Sequence, residues 1–336
     1  MPSPINGTTQ VASLATLILQ ISMKKELGIF ILLITLCAIT AIKEPVFLSP
    51  VNLQNTAKLI GAYGLLGLGL GAVIITGGID LSVGSVLALL GVLLSMAIRQ
   101  WGVPGFAAVL LIIGAAMGLG WVHGFLIARV RVQPFIVTLC GLLFYRGLAR
   151  FITGDETKGF GDAAGLESLQ SLATGRLLGV PKPFVLLIVI AALMWVLIHR
   201  SVYGRYLFAV GHNEDAARYS GINSKRMIAS AYIICAALAG VAAVIFAFDT
   251  NSISPSTDGS FFELYGIAAA VLGGCSLRGG EGSVIGILLG TALLQVLQNL
   301  VNLLGIPSSL NFAVMGAVIL IGVLADQLLK RKKGKA

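Results

Sequence analysis

The sequence predicts an all-α integral membrane protein, because of its composition and the length of its apolar segments. Hydrophobic residues make up 57% of the 336 residues and charged residues only 11%, with a mean hydropathy of +0.96. A soluble domain carries roughly 25% charged residues, so a soluble chain of this length could not cover its surface with polar side chains. The apolar segments are about 20 residues long, as in membrane-spanning helices, whereas a membrane β-barrel shows alternating segments of about 10.

About ten apolar segments are long enough to span a membrane, so we predict a polytopic bundle of about ten transmembrane helices. They lie approximately at 27–43, 56–76, 81–98, 104–127, 134–152, 183–199, 228–248, 261–275, 283–304 and 311–328. Residues 1–22 form a weakly apolar leader without a cleavage-site pattern, and the leader is dispensable if translation starts at Met23. No soluble domain interrupts the spans, so we treat residues 23–336 as one transmembrane domain, with its largest cytoplasmic connection at 200–227.

The distribution of basic residues predicts that both termini are cytoplasmic. Lys24 and Lys25 precede the first span, and further basic residues lie in 129–131, 200–227 and 330–335. Arg and Lys are enriched in cytoplasmic connections, and an even number of spans returns the chain to its starting side. The net charge of +9 is therefore explained by membrane anchoring. We expect lipid, not nucleic acid, to contact this chain, because no soluble domain is present to carry a basic DNA-binding surface.

The sequence contains no arrangement of residues that is typical of an enzyme. His123, His199 and His212 have no metal-ligand spacing to one another or to a cysteine. Nucleophile-elbow, zinc-protease and phosphate-loop motifs are absent from the sequence. We therefore predict no catalytic residue, no metal site and no cofactor in this chain, and an energy source outside it.

Charged residues inside spans are costly and therefore mark places where function is expected. Asp80 and Ser82 lie in a Gly-containing break between two spans, where they either cap a helix end or form part of a gate. Arg146 and Arg150 lie on one face of the fifth span. They can pair with acids or extend to the membrane surface, and we favour extension to the surface.

Four amide side chains form a stripe on the ninth span. Gln295, Gln298, Asn299 and Asn302 follow the i, i+3, i+4, i+7 spacing of one helix face. Amides that faced lipid would lack hydrogen-bond partners, so the stripe should face other helices or a water-filled path. Two interpretations remain open: the amides bond neighbouring helices, or they line a route for a neutral polar solute.

Residues 213–221 have every feature of a short, complete helix. Asn213 is a good N-cap, Glu214 and Asp215 are acidic residues in the first turn, and Gly221 can take the left-handed C′ position. A helix of two turns is marginally stable alone. We therefore expect it to dock on another surface, although a plain surface turn is the alternative.

Three motifs in the same order resemble the permeases of bacterial sugar ABC importers of the ribose, xylose, arabinose and galactose type. The motifs are Gly77-Gly78-Ile79-Asp80-Leu81-Ser82-Val83-Gly84, then Tyr203-Gly204-Arg205 leading into 211–221, then Leu272–Gly280 with Gly282 and Gly286. The resemblance runs from about residue 45 to 328. We expect the following motif glycines to be structural: Gly77, Gly78, Gly84, Gly273, Gly274, Gly279 and Gly280.

The resemblance implies a multi-pass subunit of the bacterial inner membrane, paired with a second copy or a close relative. It also implies two further partners: a cytoplasmic ABC ATPase, which would bind ATP and Mg, and a periplasmic or lipid-anchored sugar-binding protein. In such permeases a short cytoplasmic helix couples to the ATPase. This role falls here on Asn213, Glu214, Ala216, Ala217, Arg218 and Gly221. Glu263 matches a recurrent Glu-Leu pair and joins Asp80 as a candidate for the pathway or gate.

Other functions remain possible at the level of sequence. A secondary transporter driven by protons or sodium would use Asp80 or Glu263 as its titrating group, and a passive channel or scaffold would need no coupling helix. Within the importer interpretation, the cargo is a pentose or hexose, with a furanosyl signal molecule, a nucleoside or a branched-chain amino acid as alternatives. His212, Cys275 and Tyr265-Gly266 depart from the usual residues of these permeases, which weakens assignment to one sugar.

Overall fold

The computed structural model describes residues 26–161 and 165–307, and beyond these 310, 313, 314, 316, 317 and 320. The described helices, which we number α1 to α12, are Glu26–Lys43, Pro50–Ile75, Val83–Arg99, Gly105–Ala128, Pro134–Thr153, Glu167–Thr174, Lys182–Trp195, Val202–His212, Glu214–Tyr219, Ser224–Thr250, Phe262–Leu272 and Val284–Leu303. A 3-10 turn, Pro45–Leu48, precedes α2, and a π turn, Val196–Arg200, extends α7. The predicted leader at 1–22 and most of the predicted tenth span at 311–328 lie outside the described residues.

Seven of the described helices are long and apolar enough to cross a membrane: α1, α2, α4, α5, α7 with its π turn, α10 and α12. The predicted all-α polytopic fold is confirmed, and the total of ten spans stays a prediction. The predicted eighth span at 261–275 is helical only over Phe262–Leu272. Its 11 residues rise by roughly 16 Å, about half the thickness of the hydrocarbon layer.

Helices α2 and α10 form the centre of the bundle: 78% and 72% of the residues in their apolar stretches are buried. Helix α4 lies against α10 through Gly120 and Gly124, where an added Cβ would come within 2.5 Å of Tyr232 O and 2.6 Å of Ala229 Cα. Small residues allow such close helix packing in membranes. The opposite face of α4 exposes Trp121 and other large apolar side chains, as expected of a lipid-facing surface.

Helices α11 and α12 also pack through glycine. A Cβ added at Gly286 would overlap with Gly273 O, and one added at Gly290 would overlap with Ala269 O. This small-xxx-small spacing brings the short α11 into backbone contact with the first turns of α12.

Two small antiparallel sheets and α6 lie at the end of the bundle where α5 and α10 finish. Strand β1, Lys158–Gly159, pairs with β4, Ser252–Ile253, so that Lys158 lies opposite Ile253. Strands β2, Arg176–Leu177, and β3, Val180–Pro181, form the second sheet. Helix α6 lies in the connection between α5 and α7.

The Gly286 contact predicts a loss of stability when a methyl group is added. We expect Gly286→Ala to lower the free energy of unfolding by about 1–3 kcal/mol, because the α11 and α12 backbones must separate. Gly118→Ala in α4 is the matched control, since an added Cβ there meets nothing within 4 Å. Thermal unfolding in detergent measures both variants. Equal midpoints for the two would contradict the packing argument.

Candidate translocation and coupling site

Two Gly-containing turns and the end of α8 meet at one point, which we name the glycine junction and define as Gly77, Gly211 and Gly279. Gly77 and Gly279 have φ angles of 80° and 84°, a region that favours glycine. A Cβ at Gly279 would come within 2.6 Å of Gly211 O and 2.8 Å of Gly77 N. Gly280 N donates to Ile75 O at 2.9 Å, which joins the α11–α12 turn to the end of α2.

The other glycines predicted to be structural also have a physical reason for lacking a side chain. Gly274 and Gly280 have φ angles of 92° and 74°. A Cβ at Gly78 would come within 2.6 Å of the Tyr232 hydroxyl oxygen, and one at Gly84 would overlap with Gly259 O. Gly273, at the end of α11, is in backbone contact with Gly286 of α12, as described above.

Helix α9 has the local structure that its sequence predicts. The Asn213 side chain accepts a hydrogen bond from Ala216 N at 2.9 Å, and Gly221 has a φ of 84°. Ala217 is 5% exposed and faces the bundle, whereas the ring of Tyr219 is 84% exposed, with the Arg218 guanidinium 5.6 Å from its centroid. The helix therefore has one attached face and one free face that carries an aromatic ring and a cation.

Glu214 attaches α9 to two other parts of the chain. Its Oε1 accepts from Arg131 Nη1 at 2.7 Å and from Ser224 Oγ at 2.9 Å. Arg131 lies between α4 and α5, and Ser224 is the first residue of α10. Sequence reasoning missed this role of Arg131, because the two partners are 83 positions apart and no local pattern links them. Glu214 thus faces its own chain, although the sequence singles it out for contact with a partner.

Helix α8 is in turn tied to α10 through Tyr203, whose hydroxyl lies 2.9 Å from Ser230 Oγ. Burial raises the pKa of the Tyr203 hydroxyl, and the hydrogen bond to Ser230 opposes this rise. The phenol therefore stays neutral at physiological pH, and this contact does not depend on its titration.

Asp80 is the centre of a buried polar cluster beside the start of α3. Its Oδ1 accepts from Ser82 N at 2.9 Å and from Ser82 Oγ at 2.7 Å, which closes a turn at Ser82, the N-cap residue of α3. Its Oδ2 lies 3.9 Å from His123 Nδ1, and His123 Nε2 lies 2.9 Å from the Tyr145 hydroxyl. The cluster joins the α2–α3 turn to α4 and α5. Asp80 thus bonds to the N-cap residue of α3, and the capping and gating interpretations of Asp80 both stay predictions.

The backbone of the same turn is satisfied by side chains. Ile79 O accepts from the Tyr232 hydroxyl at 3.1 Å and from Thr138 Oγ1 at 3.4 Å. These donors come from α10 and α5. The α2–α3 turn therefore enters the bundle without leaving this carbonyl unpaired, as a non-aqueous surrounding requires.

The non-helical segment 254–261, which we name the re-entrant segment, is held by Arg146. Arg146 Nη1 donates to Pro255 O at 2.8 Å and to Asp258 O at 2.7 Å. The favoured expectation that Arg146 extends to the membrane surface is therefore wrong, because these buried carbonyls need a donor and the guanidinium supplies it. Arg150 does reach the surface, where its pairing with Asp155 at 2.6 Å lowers the pKa of that carboxyl group.

The re-entrant segment lies beside Glu263 and an aromatic cluster. Glu263 is 7% exposed, and Gly259 is in backbone contact with Gly84 at the start of α3. The rings of Tyr63 and Phe262 are 4.8 Å apart, and Phe246 and Tyr265 complete the cluster. A cavity of about 20 Å³, room for one water, lies between this cluster and the segment.

The amide stripe lies along α12 and bonds α2 at one position. Asn299 Nδ2 donates to Asn52 Oδ1 at 2.8 Å, and Asn52 Nδ2 donates to Asn299 Oδ1 at 3.1 Å. Asn299 thus acts as a bond between helices. Gln295 Oε1 and Gln298 Oε1 are buried and have no partner among the described residues. Asn302 lies near the end of the same helix, beyond this pair.

No group of three or more His, Cys, Asp or Glu that could hold a metal ion occurs in the described part of the chain. Asp80 and His123, the closest approach to such a group, are joined by a tyrosine and serine instead of further ligands. The polar groups of this site are therefore suited to hydrogen bonding and to fixing backbone positions.

The Asn52–Asn299 pair predicts non-additive stabilities. Asn299→Leu should lower the free energy of unfolding by about 1–2 kcal/mol, because Asn52 loses its partner inside the bundle. The double variant with Asn52→Leu should lose less than the sum of the two single variants. Gln298→Leu is the control within the same helix and should be neutral, since it removes an oxygen that has no partner. Thermal midpoints measure all four variants, and strict additivity would exclude the bond.

Comparison with known proteins places most of the chain in one group. Residues 52–323 match the family described as branched-chain amino acid transport system / permease component. The ribose import permease protein of Bacillus subtilis (strain 168) is 39% identical over 304 residues, which cover 90% of this chain and 93% of the relative. The fructose import permease protein of Bifidobacterium longum (strain NCC 2705) is 32% identical over 302 residues, 87% of this chain and 84% of the relative.

The ribose import permease protein of Escherichia coli (strain K12) is 38% identical over 298 residues, 88% of this chain and 92% of the relative. No solved structure gives a significant match. The names of these relatives confirm the resemblance to permeases of sugar importers that the three motifs predict. The chain belongs to the permease family described for branched-chain amino acid transport systems.

Proposed function

We propose that this chain is the transmembrane permease subunit of an ATP-driven importer that carries a monosaccharide into a bacterial cell. The observation that carries the proposal is α9: a capped helix whose attached face is bound to the bundle through Glu214 and whose free face exposes Tyr219. A chain without a phosphate-loop motif needs a motor from outside, and this helix is suited to receive one. The similarity to sugar import permeases over about nine-tenths of the chain supports the same function.

The proposal fixes the orientation in the inner membrane. Helices α8 and α9 and both termini lie on the cytoplasmic side, where basic residues are enriched. The two small sheets and α6 then lie on the periplasmic side, where a periplasmic or lipid-anchored sugar-binding protein delivers the cargo.

The cytoplasmic partner is an ABC ATPase that binds ATP and Mg. Arg218 and Tyr219 form the part of α9 that it contacts, since both are exposed and an aromatic ring beside a guanidinium is typical of interface anchors. Asn213, Ala216 and Gly221 shape the helix, and Ala217 attaches it to the bundle. A second permease copy, or a close relative, completes the path.

Transport then proceeds by alternating access. ATP-driven closure of the ATPases moves the docked helices, and the permeases change between outward-open and inward-open states. ATP supplies the free energy, and this chain supplies the path and the attachment. The re-entrant segment and the short helix α11 that follows it support a path close to α11, because helices that stop part-way through the membrane are common at transporter binding sites.

The cargo is best assigned as a pentose or hexose. The amides of Gln295 and Gln298 and the aromatic cluster around Tyr63 are suited to a neutral solute with hydroxyl groups and apolar faces. The sugar names of the relatives support this class. The family description, which names branched-chain amino acids, makes such an amino acid the first competitor to exclude.

Uptake by the reconstituted complex tests the function. Vesicles that contain the permease and its ATPase, with the binding protein outside, should take up D-ribose or D-fructose only when ATP is enclosed. L-Leucine should not enter. Uptake that stops with a proton uncoupler while ATP remains high would instead indicate a secondary transporter that uses Asp80 or Glu263, and uptake of leucine alone would overturn the cargo assignment.

The assignment of α9 predicts that its exposed ring matters for coupling and not for stability. Tyr219→Ala should weaken ATPase binding by about 1.4 kcal/mol and lower its affinity about tenfold, because the ring is 84% exposed in the free chain and becomes buried on docking. Phe151→Ala is the matched control: its ring is 83% exposed, at the opposite end of the bundle. Co-purification and ATP-dependent uptake measure the effect. Equal ATPase affinity in both variants would remove the role of Tyr219.

A further inference from the structure

Helix α5 makes a charged contact at its cytoplasmic end. Arg131, three residues before Pro134 begins the helix, binds Glu214 of α9 at 2.7 Å. Its φ of 68° fixes it in a left-handed turn, and Val132 N donates to Leu126 O at 3.2 Å. The bond of Val132 holds this connection against the end of α4, and only Val132 and Gln133 separate Arg131 from α5, so a displacement of α9 acts on the end of α4 and on the start of α5.

Helix α5 is able to carry this displacement across the membrane. Its 20 residues are continuous from Pro134 to Thr153 and span about 30 Å. Only 28% of the residues in its apolar stretch are buried, compared with 78% for α2. A continuous helix at the edge of the bundle can shift as a unit more easily than a central one, because it repacks fewer contacts.

A second charged contact lies further along the same helix. Arg146 is 12 residues after Pro134, about 18 Å along the helix axis, and it donates to the carbonyls of Pro255 and Asp258. The Asp258 carboxylate also accepts from Ser254 N at 2.8 Å, which closes the re-entrant segment on itself. The segment is thus a compact unit that is attached to α5 through one guanidinium group.

We propose that α5 transmits movement of α9 to the re-entrant segment, and that Arg131, just before the helix, and Arg146, within it, are positioning residues for transport. Arg146 Nη1 donates to both carbonyls, of Pro255 and of Asp258, so movement of the segment together with the helix keeps two bonds to a charged donor that separate movement would break. A displacement that begins at the ATPase therefore reaches the far half of the path. This inference rests on the proposed function, since the displacement starts with docking of α9.

The test measures how fast a cysteine in the re-entrant segment reacts with a maleimide while the nucleotide acts on the ATPase. Ser256, an exposed residue of the segment, is replaced by cysteine. Cys37 and Cys140 are replaced by serine, because they are not buried and would react with the label, whereas the buried Cys235 and Cys275 are kept. The reconstituted complex is labelled with a membrane-impermeant maleimide, with and without ATP and vanadate. We expect the nucleotide to change the labelling rate at least threefold.

Charge exchange separates transmission from a merely structural role. Arg131→Glu and Glu214→Arg should each abolish the nucleotide response, and the two together should restore it, because the ion pair is re-formed in reverse. Arg129→Glu combined with Glu214→Arg carries the same charges without the contact and should not restore it. Arg146→Gln should abolish the response with ATP hydrolysis retained, whereas Arg150→Gln, whose partner is Asp155, should leave it unchanged.

The outcomes are distinct. Wild-type vesicles that take up no sugar with ATP would contradict the proposed function itself. Wild-type uptake with a labelling rate that does not respond to nucleotide, or a response that survives in Arg131→Glu or Arg146→Gln, would overturn transmission through α5. Failure of the exchanged pair to recover, when the complex assembles normally, would also overturn it.

Discussion

The hydrogen-bonding demand of the backbone inside lipid is the constraint on which this structure depends. Helices satisfy their own peptide groups, but the turn at 76–82 and the re-entrant segment at 254–261 do not, and lipid supplies no partner. Side chains from other helices pair one carbonyl of the first stretch and two of the second: Tyr232 and Thr138 donate to Ile79 O, and Arg146 donates to Pro255 O and Asp258 O. Each non-helical stretch therefore fixes the relative position of several helices.

The same demand explains why glycine and buried polar clusters occur together. Close backbone approach at Gly84 and Gly259, or at Gly211 and Gly279, leaves no space for side chains, so peptide groups meet peptide groups directly. Where approach is less close, a complete polar cluster fills the gap, as Asp80 does with Ser82 and His123. A buried polar group with all its partners stabilises one arrangement, whereas a partly satisfied one is costly.

Features set by neighbouring residues were predictable from the sequence, and features set by distant contacts were not. Hydropathy located the long helices, and the caps at Asn213 and Gly221 identified α9, because both signals lie within a few residues. The predicted span at 261–275 extends three residues past the end of α11, because the backbone turns at Gly273 and Gly274. The carbonyls that Arg146 binds lie 109 and 112 positions away, and Arg131 lies 83 positions from Glu214, so these partners cannot be inferred from the local sequence.

The size of α9 explains why its attachment matters more than its own stability. A helix of six residues has too few internal hydrogen bonds to hold its shape in water. If it were free, a force applied to Tyr219 would unwind it, and no movement would reach the bundle. The bonds of Glu214 to Arg131 and Ser224 fix its first turn to the α4–α5 connection and to the start of α10, and the burial of Ala217 fixes the middle. The helix is therefore stiff because of its contacts, and a force on its free face moves α5 and α10 before it melts α9.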